Sequence, residues 1–197
     1  VQALLVAERT MLNFMQRMSG IATTTNAFVQ MVRHTNAKIL DTRKTTPGLR
    51  AFEKWAVRIG GGHNHRFGLY DMILIKDNHI DFCGGIEAAV NRVLQYLHDN
   101  ALDLRIEVET RNLEDVQHVL KTGRVHRIMF DNFPVEMLRD GVALVDGRME
   151  TEASGGVNID TVKTIAETGV DFISVGALTH SVKSLDLSFK AVIGENR

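Results

Sequence analysis

Residues 104–132, LRIEVETRNLEDVQHVLKTGRVHRIMFDN, decide the fold. The apolar, β-branched run Leu104–Val108 predicts a strand, the spacing over 112–121 predicts a helix, and Arg127–Phe130 predicts the next strand. Strand, helix, strand is the signature of a parallel βα unit. The same alternation continues outward in both directions. Helical patterns cover 2–18, 24–34, 48–55, 86–98, 134–140 and 158–168, and strands are expected at Ala37–Asp41, Ala56–Ile59, Met72–Ile75, Met149–Ala153 and Phe172–Val175. About seven such strands with no evident edge predict an α/β fold closed into a parallel, TIM-like βα barrel. A doubly wound open sheet is the alternative. Against it, the first strand lacks the Gly-rich turn of a dinucleotide fold, and Gly60-Gly61-Gly62 is not G-x-G-x-x-G.

With 197 residues, 44% apolar and 24% charged, the chain suits one soluble domain with a sizeable core. A net charge of −1 supplies no basic field for nucleic acid or an anionic membrane, so any anion site must be a local cluster. Cys83 is the single cysteine, no apolar run nears the ~20 residues of a membrane span, and no signal peptide precedes the first element. These features predict a cytoplasmic protein. The chain begins without Met inside a helical pattern (Leu4, Leu5, Met11, Leu12, Met15, Met18) and without an N-cap. The expectation is one domain over 1–197 that has lost residues upstream; a helix that starts uncapped is the simpler alternative. Pro47 and Pro134 suit first turns of helices.

The polar residues gather at one end of the expected strands. Asp41-Thr42-Arg43-Lys44-Thr45 follows the first, Gly60 to Arg66 the second, and Lys76-Asp77-Asn78-His79 the third. Glu109, Asp131-Asn132, Ser154-Gly155-Gly156 and Gly176-Ala177 end the other four. In parallel barrels this C-terminal rim carries the active site, so seven separated signals predict one site. Arg43, Lys44, His65, Arg66 and Lys76 form a cationic set that needs several anionic groups on its ligand. Glu109 and Asp131 suit Mg²⁺ held partly through waters, sugar hydroxyls, or a developing cation. The glycines after the last two strands let backbone N–H groups approach a phosphate.

Each signal has a plainer reading. D-T-R-K alone is usually a solvated turn, and Gly60–Gly62 can be a flexible one. Glu109 or Asp131 alone is usually a surface carboxylate, although a strand-end carboxylate left buried and unpaired would be costly. His63 and His65 lack a third ligand at helical spacing, which argues against zinc. Ser154 has no adjacent base to make it a nucleophile. His79 and His180 read as hydrogen-bonding histidines, and the Met-rich first helix as a packing face.

Taken in order, the motifs resemble the barrel domain of quinolinate phosphoribosyltransferases. They are A-E-R-T-M-L-N-F at 7–14, S-G-I-A-T at 19–23, D-T-R-K-T-T-P-G-L-R at 41–50, G-G-G-H-N-H-R at 60–66 and L-I-K-D-N-H at 74–79. E-V-E at 107–109, D-N-F at 131–133, E-A-S-G-G-V at 152–157 and S-V-G-A-L-T-H-S at 174–181 complete the set. The resemblance implies transfer of phosphoribosyl from phosphoribosyl pyrophosphate (PRPP) to quinolinate, with loss of CO₂ and pyrophosphate, giving nicotinate mononucleotide for NAD biosynthesis. It implies that Arg43, His65 and Arg66, with Thr42 and Lys44, bind the two quinolinate carboxylates. Lys44 and Lys76 would contact PRPP or bridge the substrates. Glu109 and Asp131 would serve ribose and Mg²⁺, and Ser154, Gly155 and Gly176 the 5′-phosphate. Lys44, Lys76, Glu109 and Asp131 are the catalytic candidates. Arg9 would reach a neighbouring subunit's site in a homodimer or an assembly of dimers. The family's N-terminal α/β domain would be missing. The rivals are a related barrel phosphoribosyltransferase with another acidic or pyridine substrate, a different phosphate-binding barrel enzyme, and an inactive dimerising fragment.

Overall fold

The computed structural model describes residues 2–190. Helix α1 (Gln2–Val32) leads to strand β1 (Lys38–Leu40), then α2 (Arg50–Ile59), β2 (Ile73–Ile75), α3 (Asp77–Cys83), α4 (Ile86–Asp99) and β3 (Ile106–Thr110). The alternation continues through α5 (Leu113–Thr122), β4 (Arg127–Asp131), α6 (Val135–Val145), β5 (Glu150–Ser154), α7 (Val162–Ala166), β6 (Phe172–Ser174) and α8 (Ala177–His180). All pairings are parallel, in the order β1-β6-β5-β4-β3-β2. First and last strands are therefore neighbours, as in a barrel, and the seam falls between β1 and β2.

The sheet has six strands among the described residues, one fewer than expected. Ala56–Ile59 belongs to α2, not to a strand. Its β-branched residues lie within a helical repeat that buries Glu53, Lys54, Ala56 and Val57, and that repeat outweighs local strand propensity. In place of the missing strand, residues around His63 lie beside β1: the His63 amide donates to Ile39 O (2.8 Å), and the Asp41 amide donates to His63 O (3.1 Å). Gly60 and Gly62 permit this course. A Cβ on Gly60 would meet Ala22 O at 2.4 Å, and one on Gly62 would meet Thr25 Cγ2 at 2.7 Å, both on α1.

Helix α1 is continuous where two helices were expected, because Ile21, Thr25, Phe28 and Val32 keep one buried face through and beyond the Ser19–Thr25 interval. The short helices α3 and α8 were not expected. Pro134 stands at the N-cap of α6 and Pro47 in the turn before α2, each just outside the first helical turn. No helix among the described residues is long and apolar enough to cross a membrane.

Side chains alternate across each strand, and the two faces differ in kind. Ile39, Ile75, Ile106, Val108, Ile128, Phe130, Ala153, Ile173 and Val175 form one core with apolar residues of the surrounding helices. The lumen face carries Glu107 and Glu109 from β3, Arg127, Met129 and Asp131 from β4, and Glu150, Glu152 and Ser154 from β5. The register sets Glu107 beside Arg127, Met129 beside Glu152, and Asp131 beside Ser154.

Candidate active site

At the C-terminal ends of the strands lies a cavity of about 650 Å³. Thr42, Arg43, Lys44, His65, Arg66, Lys76, Glu109, Asp131, Ser154, Gly155 and Gly176 all line it. Arg9 does not; it is exposed on α1. The wall also includes residues not singled out from the sequence, among them Leu74, Met129, Glu152 and Ser174, together with Asn132 and His180.

Two buried networks hold the cationic loops. Asp41, fully buried after β1, accepts from Lys54 Nζ, from Asn64 Nδ2 and from the His65 amide (2.9 Å). Burial pushes the Asp41 pKa up and the Lys54 pKa down, while their mutual attraction opposes both shifts. One carboxylate thus ties the loop bearing Arg43 to the loop bearing Arg66. Behind them, Arg17 donates to Glu53 Oε1 through Nε (2.8 Å) and Nη2 (2.6 Å), and Nη2 also reaches Thr46 Oγ1 and Thr179 O. The Thr46 amide donates to Glu53 Oε2, and Thr179 Oγ1 donates to Lys44 O (2.7 Å). The Lys44 backbone is fixed from beneath, while its side chain is free to face the cavity.

The cations outnumber their counter-ions. Lys76 Nζ donates to Glu109 Oε2 at 2.8 Å. Burial, then the nearby Arg43 guanidinium, lowers the Arg66 pKa, with Glu107 and Asp71 opposing. An arginine stays charged despite such a shift. Like charges held together at a cavity wall make it a receptor for a polyanion.

At the floor, His65 Nε2 lies 3.0 Å from Glu107 Oε2 and 3.4 Å from Glu152 Oε2. These are ionic contacts without aligned hydrogen bonds: Nε2, both Glu107 oxygens and Glu152 Oε1 lack a hydrogen-bond partner. Arg127 Nη1 donates to Glu152 Oε2 (2.9 Å), and its Nε and Nη2 donate to Glu150. Burial lowers the His65 pKa, but the two carboxylates outweigh it and push it up to about 9. On the other ring nitrogen, the Arg66 amide donates to Nδ1 (2.8 Å); that bond needs the neutral ring with its proton on Nε2, and so opposes the carboxylates' pull toward the imidazolium. Burial and the adjacent Glu152 raise Glu107 to about 7, whereas His65 and Arg127 overcome burial and lower Glu152.

His65, Glu107 and Glu152 bring ligand atoms within 4.8 Å of one another. Arg127 already offsets one of the two carboxylates. A single proton on this cluster completes neutrality, while a divalent ion would leave excess buried positive charge, so the set reads as a proton-holding cluster. Its sequence signal was the alternation in I-E-V-E-T and E-T-E-A-S.

On the far side, Gly155 has φ +91°, and a Cβ there would meet Asn132 Oδ1 at 2.2 Å. A Cβ on Gly176 would come within 3.0 Å of His180 Nε2 and 3.3 Å of Lys44 Cδ. His79 has a structural part, its Nδ1 accepting from the Lys76 amide at the start of α3 (2.9 Å).

Comparison with known proteins adds the family. The profile of "Quinolinate phosphoribosyl transferase, C-terminal domain" matches residues 21–190. The chain is 55% identical over 201 residues to the chloroplastic nicotinate-nucleotide pyrophosphorylase (carboxylating) of Arabidopsis thaliana, covering 95% of this chain and 57% of that protein. It is 48% identical to a probable nicotinate-nucleotide pyrophosphorylase (carboxylating) of Bacillus subtilis, covering 97% and 65%. The crystal structure of NadC from Streptococcus pyogenes superposes with a TM-score of 0.90 at 42% identity, covering 97% of this chain and 66% of that one. The chain thus spans well under two thirds of the plant relative's length.

Proposed function

The chain belongs to the quinolinate phosphoribosyltransferase C-terminal domain family, and from that premise we propose that the full-length protein carrying this domain transfers phosphoribosyl from PRPP to quinolinate with decarboxylation. The observation that carries this reading is one cavity that gathers Arg43, Lys44, Arg66 and Lys76 against the carboxylates of Glu109, Asp131 and Glu152, the last already paired with Arg127. Such a surplus suits a pyridine diacid together with a polyphosphate. Nicotinate, a monoacid, needs fewer cations.

In this reading Arg43 and Arg66 take the carboxylates of quinolinate, with His65 and Thr42 beside them. Lys44 and Lys76 lie between that pocket and PRPP. Ser154, Gly155 and Gly176 receive the 5′-phosphate, since glycine permits close approach of backbone donors. Glu109 and Asp131 face the ribose and stabilise positive charge developing at C1 as pyrophosphate departs. The C1–oxygen bond breaks and the ring nitrogen bonds to C1. The C2–carboxylate bond then breaks, CO₂ leaves, and the electron pair left beside the cationic nitrogen takes up a proton from solvent. The protein contributes positioning and preorganised charge.

The oxygen donors of Glu109 and Asp131 fit Mg²⁺ only as a partial set, because Lys76 already occupies Glu109 Oε2. When bound there, chiefly through waters and phosphate oxygens, Mg²⁺ would offset the charge of the pyrophosphate. The proposal includes a homodimer, or an assembly of dimers, in which exposed Arg9 enters the partner's cavity. It also includes a cytoplasmic setting, which fractionation would test, since plant relatives are named chloroplastic or mitochondrial. The direct test is ¹⁴CO₂ release from carboxyl-labelled quinolinate by the full-length protein, dependent on PRPP and Mg²⁺. Turnover of nicotinate in place of quinolinate would overturn the substrate assignment.

A further inference from the structure

Two buried carboxylates at the foot of the cavity are expensive to keep. Glu107 is fully buried, and neither of its oxygens has an aligned hydrogen-bond partner. Apolar replacement of such charges is often neutral or stabilising, so stability alone gives a weak reason for retaining them. Their neighbour supplies a better one. His65 is gripped from three directions: its amide by Asp41 (2.9 Å), its Nε2 by Glu107 and Glu152, and its Nδ1 by the Arg66 amide (2.8 Å). It acts as a strut between the lumen carboxylates and the backbone of Arg66. The guanidinium of Arg66 has a second anchor, Nη1 donating to Met72 O at 3.2 Å.

We propose that Glu107 is a positioning residue for the diacid pocket: with Glu152 it holds the His65 ring, the ring holds the Arg66 amide, and the aim of the Arg66 guanidinium at a substrate carboxylate follows. Glu107 does not line the cavity, so its effect passes through His65 and Arg66. The inference rests on the reading of Arg66 as a quinolinate ligand. It assigns Glu152 the same work from the neighbouring strand, and gives Arg127 the task of keeping Glu152 in place.

The test uses the full-length protein and calorimetric titration with quinolinate and, separately, with PRPP and Mg²⁺. Glu107→Leu removes the contact. Glu107→Gln keeps the shape and an oxygen beside Nε2. Quinolinate affinity should fall by roughly tenfold or more in Glu107→Leu and recover in large part in Glu107→Gln, with PRPP affinity held within about twofold in both. Should Glu107→Leu not fold, Glu107→Asp carries the same prediction, since it retracts the carboxylate by one methylene. The decisive comparison is the Arg66→Ala background, where Glu107→Leu or Glu107→Asp should cost nothing further, because residues acting in series are not additive. Unchanged quinolinate affinity, or a loss that adds in full to that of Arg66→Ala, overturns the inference and leaves the proposed function standing. A parent that binds no quinolinate overturns both.

Discussion

Along β3, Ile106 and Val108 turn outward to the helices while Glu107 and Glu109 turn into the lumen. Along β4 and β5, Ile128, Phe130 and Ala153 face outward, opposed to Arg127, Asp131, Glu152 and Ser154. The same few residues of backbone thus carry an apolar core on one side and a charged column on the other. Parallel barrels usually fill the lumen with branched apolar layers. Here the interior layers are ionic, rising from Arg127 and Glu150 through Glu107, Glu152 and His65 to the cavity. The two faces of the sheet divide the labour. Burial on the outer face supplies stability at about 25 cal/mol per Å² of apolar surface, and the lumen face aims charges at a ligand.

The largest effect should come from the outer face. Phe130 is fully buried, and Phe130→Ala should cost about 3–5 kcal/mol of stability through lost burial and a cavity. Denaturant unfolding would show it, and quinolinate affinity of whatever remains folded should be unchanged. A comparable affinity loss would show that the two faces are not separable.

On the phosphate side, Gly155→Val forces a side chain into Asn132 at a left-handed φ. PRPP binding should weaken by roughly tenfold or more, about 1.4 kcal/mol, with quinolinate binding less affected. Equal losses for both ligands would break the division of the cavity into two subsites. Chelation of Mg²⁺ should likewise weaken PRPP binding and spare quinolinate. The reverse order would remove Glu109 and Asp131 from the metal's account.

A further effect concerns pH. His65 holds its proton up to about 9 in the folded state, against an ordinary 6.5. A raised folded pKa contributes stability that is fully present below about pH 6.5 and is lost as pH rises through 9. Thermal unfolding from pH 6 to pH 9.5 should show this decline, and Glu107→Gln should flatten it. A stability that stays flat or rises across that window would show a neutral ring instead, with Nδ1 kept as the acceptor for the Arg66 amide.

Much of this was legible in the sequence because rim residues sit at strand ends, where an apolar run stops at a charged or small residue. Lys76, Asp131, Ser154 and Gly176 carry that mark, and the structure brings all four to one cavity. Glu107, Arg127 and Glu152 were not legible by that rule, since they lie within strands read simply as apolar runs. Period-two alternation in I-E-V-E-T and E-T-E-A-S was the available signal, and it shows a polar lumen only once the other face is known to be covered. Ala56–Ile59 failed for the opposite reason: four residues of strand-like composition sit inside a longer helical repeat, and the length of the repeat decided. The clasps of Lys54 on Asp41 and of Arg17 on Glu53 join segments far apart in the chain, and no local pattern announces them.

Quinolinate titration of Arg43→Ala and Arg66→Ala in the full-length protein decides whether those two arginines form the proposed diacid pocket. Each substitution should cost on the order of 2–5 kcal/mol of quinolinate binding, because a carboxylate is left unpaired in a partly desolvated site. Lys in either place should restore only part of it, lacking the planar fork. PRPP binding should suffer less, and nicotinate should show a smaller penalty than quinolinate in at least one of the two variants. If both Ala variants bind quinolinate as tightly as the parent, the carboxylates are held elsewhere and Arg43 and Arg66 do not form the diacid pocket.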